Sequence, residues 1–107
     1  MIYIVDIDNT ICITSKNASG EWDYSNAIPE FDRINVINEL YSEGHTIIYW
    51  TARGSSSGLD WDDLTIQQLN DWGCKYHDLR FGKPNYDVWI DDKAINDRIF
   101  FAARTQL

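Results

Sequence analysis

The sequence predicts an α/β domain built on a parallel β-sheet, and two observations support this. Segments with the pattern of strands alternate with segments of helical periodicity along the 107 residues. The strand segments at 2–7 and 45–51 are short and apolar at successive positions, which is typical of parallel strands covered on both faces. We expect one domain over residues 1–107, since a chain of this length folds around a single core.

The first half of the chain contains a strand, an irregular or hairpin segment, a helix and a second strand. The apolar segment 2–7 predicts the first strand, and 45–51 the second. Residues 11–27 carry Asn, Ser and Gly between apolar stretches, which predicts a flap-like loop or hairpin. A helix is predicted to begin at Pro29 and to end at Gly44, with apolar residues at helical spacing between them.

The second half repeats the alternation. A flexible loop is expected at 53–58, followed by a helix near 60–72 that ends at Gly73. A short strand is expected at 76–80, and the sequence YDVWID at 86–91 predicts another. Residues 93–103 have the periodicity of a closing amphipathic helix.

The chain is acidic, with a formal net charge of −8. This charge disfavours broad attachment to nucleic acid or to anionic membranes, which need a basic surface. It leaves small phosphorylated metabolites as partners, because a local cation can reverse the field in one pocket. No apolar run approaches the length of a membrane span and no signal peptide is recognisable, so we expect a cytoplasmic protein.

Polar residues follow the predicted strands where each one ends. Since ligands of parallel α/β sheets bind beyond the carboxyl ends of the strands, these residues are expected to meet at one edge. The set is Asp6 and Asp8 after the first strand, Thr51 and Arg53 after the second, Lys83 in the loop before 86–91, and Asp91 and Asp92 at its end.

These residue types suit phosphoryl transfer. Four carboxylates at one edge repel each other unless a cation joins them, and oxygen ligands favour Mg²⁺. One carboxylate can attack phosphorus and a second can act as general acid and base. Thr51 offers a hydroxyl group and Lys83 an ammonium group, both suited to holding phosphoryl oxygens.

Four segments resemble, in order, the motifs of the haloacid dehalogenase superfamily of phosphohydrolases. They are DIDNT at 6–10, YWTAR at 49–53, Lys83 within FGKP, and WIDD at 89–92. The resemblance spans nearly the whole chain and implies a three-layer α/β/α, Rossmann-like parallel sheet. No span between the motifs is long enough for a cap domain, so the chain resembles a minimal, capless member. Such members often act on a bulky or macromolecular substrate or are oligomers whose neighbours cover the site.

The resemblance also implies a role for each residue. Asp6 would be the nucleophile and a Mg²⁺ ligand, and Asp8 the general acid and base that binds the metal through its backbone carbonyl. Thr51 and Lys83 would hold the phosphoryl group. Of Asp91 and Asp92, one would bind the metal directly and the other through water, with Asp92 favoured as the direct ligand.

The implied reaction is hydrolysis of a phosphomonoester through an aspartyl-phosphate. A small sugar phosphate is the favoured substrate, since the chain resembles small phosphatases of sugar and capsule biosynthesis. A nucleotide or polynucleotide 3′- or 5′-phosphate is the alternative, from a likeness to the phosphatase domain of polynucleotide kinase. A non-catalytic phosphate-binding or regulatory module on the same fold is a third reading.

Several candidates also have simpler explanations. Arg53 is predicted to bind substrate, and Arg80 is a weaker candidate for the same role. Surface ion pairs explain both arginines nearly as well. Asp6 and Asp8 alone could be a turn pair. Trp22 and Tyr24 are expected in the core or at the rim of the pocket, where they could stack against a sugar or a base.

Overall fold

The chain forms an α/β fold whose elements follow the predicted alternation. The computed structural model describes residues 1–55 and 60–105. The elements, in chain order, are β1 (Ile2–Val5), β2 (Cys12–Lys16), β3 (Trp22–Pro29), α1 (Phe31–Ser42), β4 (Thr46–Trp50), α2 (Asp62–Asp71), β5 (Asp78–Arg80) and α3 (Asp97–Thr105). No described helix has both the length and the apolar composition needed to cross a membrane.

The central sheet has three parallel strands in the order β1-β4-β5. β1 pairs with β4 from Ile2 opposite Thr46 to Val5 opposite Tyr49, and β4 ends with Trp50 opposite Arg80 of β5. The parallel sheet confirms the expected α/β class. It also brings the carboxyl ends of all three strands to one edge, which is where the predicted polar residues begin.

The segment expected to be a loop or hairpin is a hairpin. β2 and β3 pair antiparallel, with an irregular register between Ile13 and Ser15. The pairing extends to Cys12 opposite Pro29, so Pro29 is the last residue of β3. The prediction that Pro29 opens the helix is therefore wrong, because its backbone is held in the extended strand. Helix α1 instead follows Glu30.

The helices match the predicted positions with shifted ends. Gly44 follows α1 with φ of 97°, a left-handed conformation that favours glycine, as expected of a helix terminus. Helix α3 begins at Asp97, four residues later than predicted, because the side chain of Asn96 accepts a hydrogen bond from the Arg98 amide and caps this end. Of the loop predicted at 53–58, residues 56–58 lie outside the described residues.

The core lies on one face of the sheet. Alternate residues of β1 and β4 pack there against residues from all three helices, among them Val5, Tyr49, Ile37, Leu69 and Phe101. On the other face, Ile2 and Ile4 are 70% and 60% exposed. The expected burial of this strand on both faces is therefore wrong, and the described residues do not complete a three-layer arrangement.

The strand predicted at 86–91 is the largest difference from the sequence prediction. These residues form no strand, and Val88 and Ile90 are 75% and 92% exposed. The backbone of Lys83 is held at the end of β4, where its amide donates to the Thr51 carbonyl at 3.2 Å. Only two residues separate Lys83 from Tyr86, which is too short a connection to return to the amino edge of the sheet and begin a parallel strand.

Candidate active site

A cavity of about 160 Å³ opens at the carboxyl edge of the sheet. Asp6 and Asp8 reach it from the turn after β1, and Lys83 from the loop after β5. The hairpin contributes Trp22 and Tyr24 to the lining, so these two aromatic residues lie at the pocket as expected. Three separate parts of the chain thus place two carboxylates, an ammonium group and two aromatic rings around one cavity.

Asp6 forms an ion pair with Lys83 at the cavity. Its Oδ1 lies 3.5 Å from Nζ of Lys83, and its Oδ2 accepts a hydrogen bond from the Thr10 hydroxyl at 3.4 Å. Burial raises the pKa of Asp6, while Lys83 and the backbone amide of Ile7 act in the opposite direction. The ionised carboxylate is therefore held at an energetic cost, as is common for reactive groups.

This cost gives a testable effect on stability. Because the folded protein raises the pKa of Asp6 above its ordinary value of 3.8, ionisation of Asp6 destabilises the fold as the pH rises through that pKa. Without added metal, Asp6→Asn is expected to melt at a higher temperature than the wild type at pH 7. The difference should shrink towards pH 3.8 and below, where Asp6 is protonated in both states, and equal melting temperatures at pH 7 would contradict it. Thermal unfolding followed by circular dichroism across this range measures it.

Asp8 is held by a buried arginine. Nε of Arg53 donates to Oδ2 of Asp8 at 3.0 Å, and Nη2 donates to Oδ1 at 2.9 Å, so the pair is bidentate. The hydroxyl of Thr14 donates to the same Oδ1 at 2.6 Å. Both oxygens of Asp8 therefore accept hydrogen bonds. Because a carboxylate oxygen has two lone pairs, Oδ2 accepts its bond from Arg53 and keeps a second lone pair for the exchange of a proton with a substrate.

Arg53 itself lines the cavity and also belongs to a buried polar network. Its side chain is fully buried, and its Nη1 donates to Thr65 Oγ1 at 3.1 Å and to Gln68 Oε1 at 2.6 Å. Its guanidinium carbon lies 4.9 Å from the ring centre of Tyr24. The geometry thus gives Arg53 a positioning role towards Asp8; its predicted contact with substrate stays a prediction. A surface ion pair is not its explanation.

The sequence prediction missed Thr65 and Gln68. Both lie on α2 and are buried beside the core residue Leu69. Their signal in the sequence is weak: two polar residues three positions apart, next to Leu69. Such a pattern does not show which cation they accompany, because Arg53 comes from a different element.

The turn between the two acids depends on Asn9. This residue has φ of 59°, and it is the only described non-glycine residue with a positive φ. Asn tolerates this conformation better than most side chains, and its Oδ1 accepts a hydrogen bond from the Thr14 amide at 3.2 Å. The turn therefore directs Asp6 and Asp8 towards the same cavity.

Thr51 and Lys83 meet at the end of β4. The Thr51 side chain is buried, and its Oγ1 accepts a hydrogen bond from the Arg53 amide at 3.1 Å. Lys83 is largely buried, and its Nζ lies 5.2 Å and 5.8 Å from the ring centres of Tyr86 and Trp89. These rings and Asp6 hold the ammonium group over the pocket.

Asp91 and Asp92 are not brought to this site. Both are exposed, and Asp91 instead accepts a hydrogen bond from the Lys93 amide, which lowers its pKa. Within residues 1–55 and 60–105 no three acidic, histidine or cysteine side chains are grouped closely enough to hold a metal ion. The four carboxylates predicted to share a site are thus divided into two pairs.

Comparison with known proteins adds a structural relative. No protein-family model matches the chain, and no curated protein does. A crystal structure of a structural-genomics target from Vibrio cholerae is similar, with a TM-score of 0.74 and 27% sequence identity. The match covers 92% of this chain and 85% of that one, and the name of that protein states no activity.

Proposed function

We propose that the protein is a phosphomonoester hydrolase of the haloacid dehalogenase type. The observation that carries the proposal is the placement of Asp6: a carboxylate at a cavity, with its pKa raised by burial and an ammonium group 3.5 Å away. A carboxylate with this environment can attack phosphorus while the lysine accompanies the incoming negative charge.

In the proposed reaction an oxygen of Asp6 forms a bond to phosphorus and the ester oxygen leaves. Asp8 donates a proton to the leaving alcohol. The product of this first step is an aspartyl-phosphate on Asp6. Asp8 then takes a proton from water, which attacks phosphorus and releases inorganic phosphate with Asp6 regenerated. Asp8 can carry this proton on the second lone pair of its Oδ2 while it stays bound to Arg53.

Two residues would hold the phosphoryl group. The Lys83 ammonium group has three donors, so it can bind Asp6 and a phosphoryl oxygen together. The hydroxyl of Thr51, which accepts from the Arg53 amide, keeps its own proton to donate. Both would act most strongly on the charge that develops in transfer.

Mg²⁺ is the proposed cofactor, and within one chain its ligand set is incomplete. Asp6 and Asp8 line the cavity, whereas Asp91 and Asp92 do not. When bound, Mg²⁺ would supply the positive charge that draws a dianionic phosphate to two carboxylates.

The proposed substrate is small. Trp22 and Tyr24 lie at the pocket formed with Lys83, where an aromatic ring can pack on the apolar face of a sugar. The same rings can stack on a base, so a mononucleotide is the second candidate. The net charge of −8 disfavours a long polynucleotide.

The proposal is tested by phosphate release from p-nitrophenyl phosphate and from panels of sugar phosphates and mononucleotides. We expect turnover that requires Mg²⁺ and is lost with a chelator. Absence of metal-dependent turnover on all three would refute the enzyme and favour the non-catalytic phosphate-binding module. Within active panels, the ratio of kcat/KM values separates sugar from nucleotide.

A further inference from the structure

Strand β1 lies at an edge of the sheet with apolar side chains exposed. β4 pairs with one side of β1, and within residues 1–55 and 60–105 no strand pairs with the other side. Ile2 and Ile4 on this strand are 70% and 60% exposed. An exposed, apolar edge strand is a template for pairing with another strand.

A second segment, residues 86–91, pairs with no strand in the part of the chain that the structure describes. Residues 86–91 have the composition of a buried strand, yet Val88 and Ile90 are 75% and 92% exposed. Ile90 therefore contributes almost nothing to the fold of a single chain. The edge of β1 has backbone groups and apolar side chains available to a further strand, and this segment has the composition of a strand.

One chain cannot join these two parts in parallel. If Asp91 stood beside Asp6, residue 86 would stand beside Met1, at the amino edge of the sheet. Lys83 is held at Thr51, which is two residues beyond the pair Val5–Tyr49 and thus level with Ile7. From Met1 to Ile7 is about 20 Å along a strand, whereas the three steps from Lys83 to Tyr86 span at most about 11 Å.

The start of α3 favours the parallel direction. Nη1 of Arg33 contacts the Asp97 carboxylate at 2.7 Å and the Thr10 carbonyl at 3.0 Å, so α3 begins at the carboxyl edge. A strand that ran towards this edge and ended at residue 91 would lead directly into a helix at that place.

We propose that the protein is a dimer in which residues 86–91 of each copy pair in parallel with β1 of the other copy. The connection through Pro84 and Asn85 would cross between the subunits, and α3 would take its place on α1 of the partner. Exchange of identical elements in this way is an economical route to a dimer, because it reuses contacts that the fold already favours.

The exchange would complete the active site. Asp91 and Asp92 of the partner subunit would stand beside Asp6, while Lys83 would remain on Asp6 of its own chain. This step rests on the proposed function, since it explains how one site gathers the four acidic residues expected around Mg²⁺. Each site would then contain residues from both subunits.

The dimer is tested by the molar mass in solution. Light scattering with size-exclusion chromatography is expected to give twice the 12.5 kDa of one chain. Ile90→Asp should yield a folded monomer, because this side chain is exposed in a single chain. Ile66→Asp, at an exposed residue of α2, is the matched control and should remain a dimer. A wild-type monomer would overturn the proposal.

The shared site is tested by mixing two inactive variants. Asp6→Asn and the double variant Asp91→Asn/Asp92→Asn are unfolded together and refolded. Half of the dimers should be mixed, and each mixed dimer should hold one intact site of two, so about a quarter of wild-type activity returns. No recovery, from an active wild type that is a dimer, would overturn the exchange. An inactive wild type that is still dimeric, and monomeric with Ile90→Asp, would refute only the proposed function.

Discussion

Asp6→Asn is expected to lower kcat on p-nitrophenyl phosphate by about 10³-fold or more, since an amide cannot form the acyl-phosphate bond. The change keeps size and shape, and it removes a carboxylate whose ionisation is costly in the fold. Steady-state kinetics in Mg²⁺, together with a melting curve, measures both properties. The fold should be retained, with a melting temperature no lower than that of the wild type, while turnover disappears.

Asp63→Asn is the matched control for this variant. Asp63 is an exposed acid in the first turn of α2, outside the residues that line the cavity. It should keep wild-type kinetics, so any loss common to both variants would point to a general effect of charge. Substantial turnover by Asp6→Asn would refute its assignment as nucleophile. Intact-mass measurement of quenched wild-type enzyme should show a phosphorylated protein.

Arg53→Met is expected to cause the largest loss of stability. It leaves Asp8 without its bidentate partner and removes the donors to Thr65 and Gln68. Breaking a buried ion pair on one side costs about 3–5 kcal/mol, which lowers the melting temperature of a small domain by about 12 °C or more. Arg53→Lys should lose less stability, because it keeps the positive charge although it cannot form the bidentate pair with Asp8.

The control is an arginine in an exposed pair. Arg80 and Asp78 form an ion pair at 2.8 Å, with both side chains about half exposed. Arg80→Met should cost about 1 kcal/mol or less, since solvent screens such pairs. Equal losses for the variants at Arg53 and Arg80, measured by chemical denaturation, would contradict the buried network.

The local elements were predictable because their signals are local. The apolar run before Asp6 predicted β1, and the turn formers after it predicted a loop or hairpin, of which the structure has the hairpin. The helical spacing before Gly44 predicted α1 with a two-residue error at its start. The error arose at Pro29, where pairing with Cys12 in the hairpin overrides the preference of proline for the first turn of a helix.

Contacts between distant elements were not predictable in the same way. Arg53 could be placed at the sheet edge from its position after β4, but its bonds to Asp8 and Gln68 join three elements. Residues 86–91 have the composition of a strand, yet their pairing depends on the short reach from Lys83. The composition of a segment shows whether it favours a buried strand. It does not show whether the connection before that segment is long enough to bring it to a partner strand.

The sequence alone determined the parallel α/β class, a loop or hairpin after β1 and the position of Asp6 and Asp8 at the end of that strand. Each follows from periodicity or backbone preference within a few residues. Only the tertiary structure decided that Lys83 contacts Asp6, that Arg53 is buried against Asp8 and that Asp91 and Asp92 lie apart from both. These outcomes depend on how far and in which direction each connection runs, because a contact needs two elements to arrive at the same place.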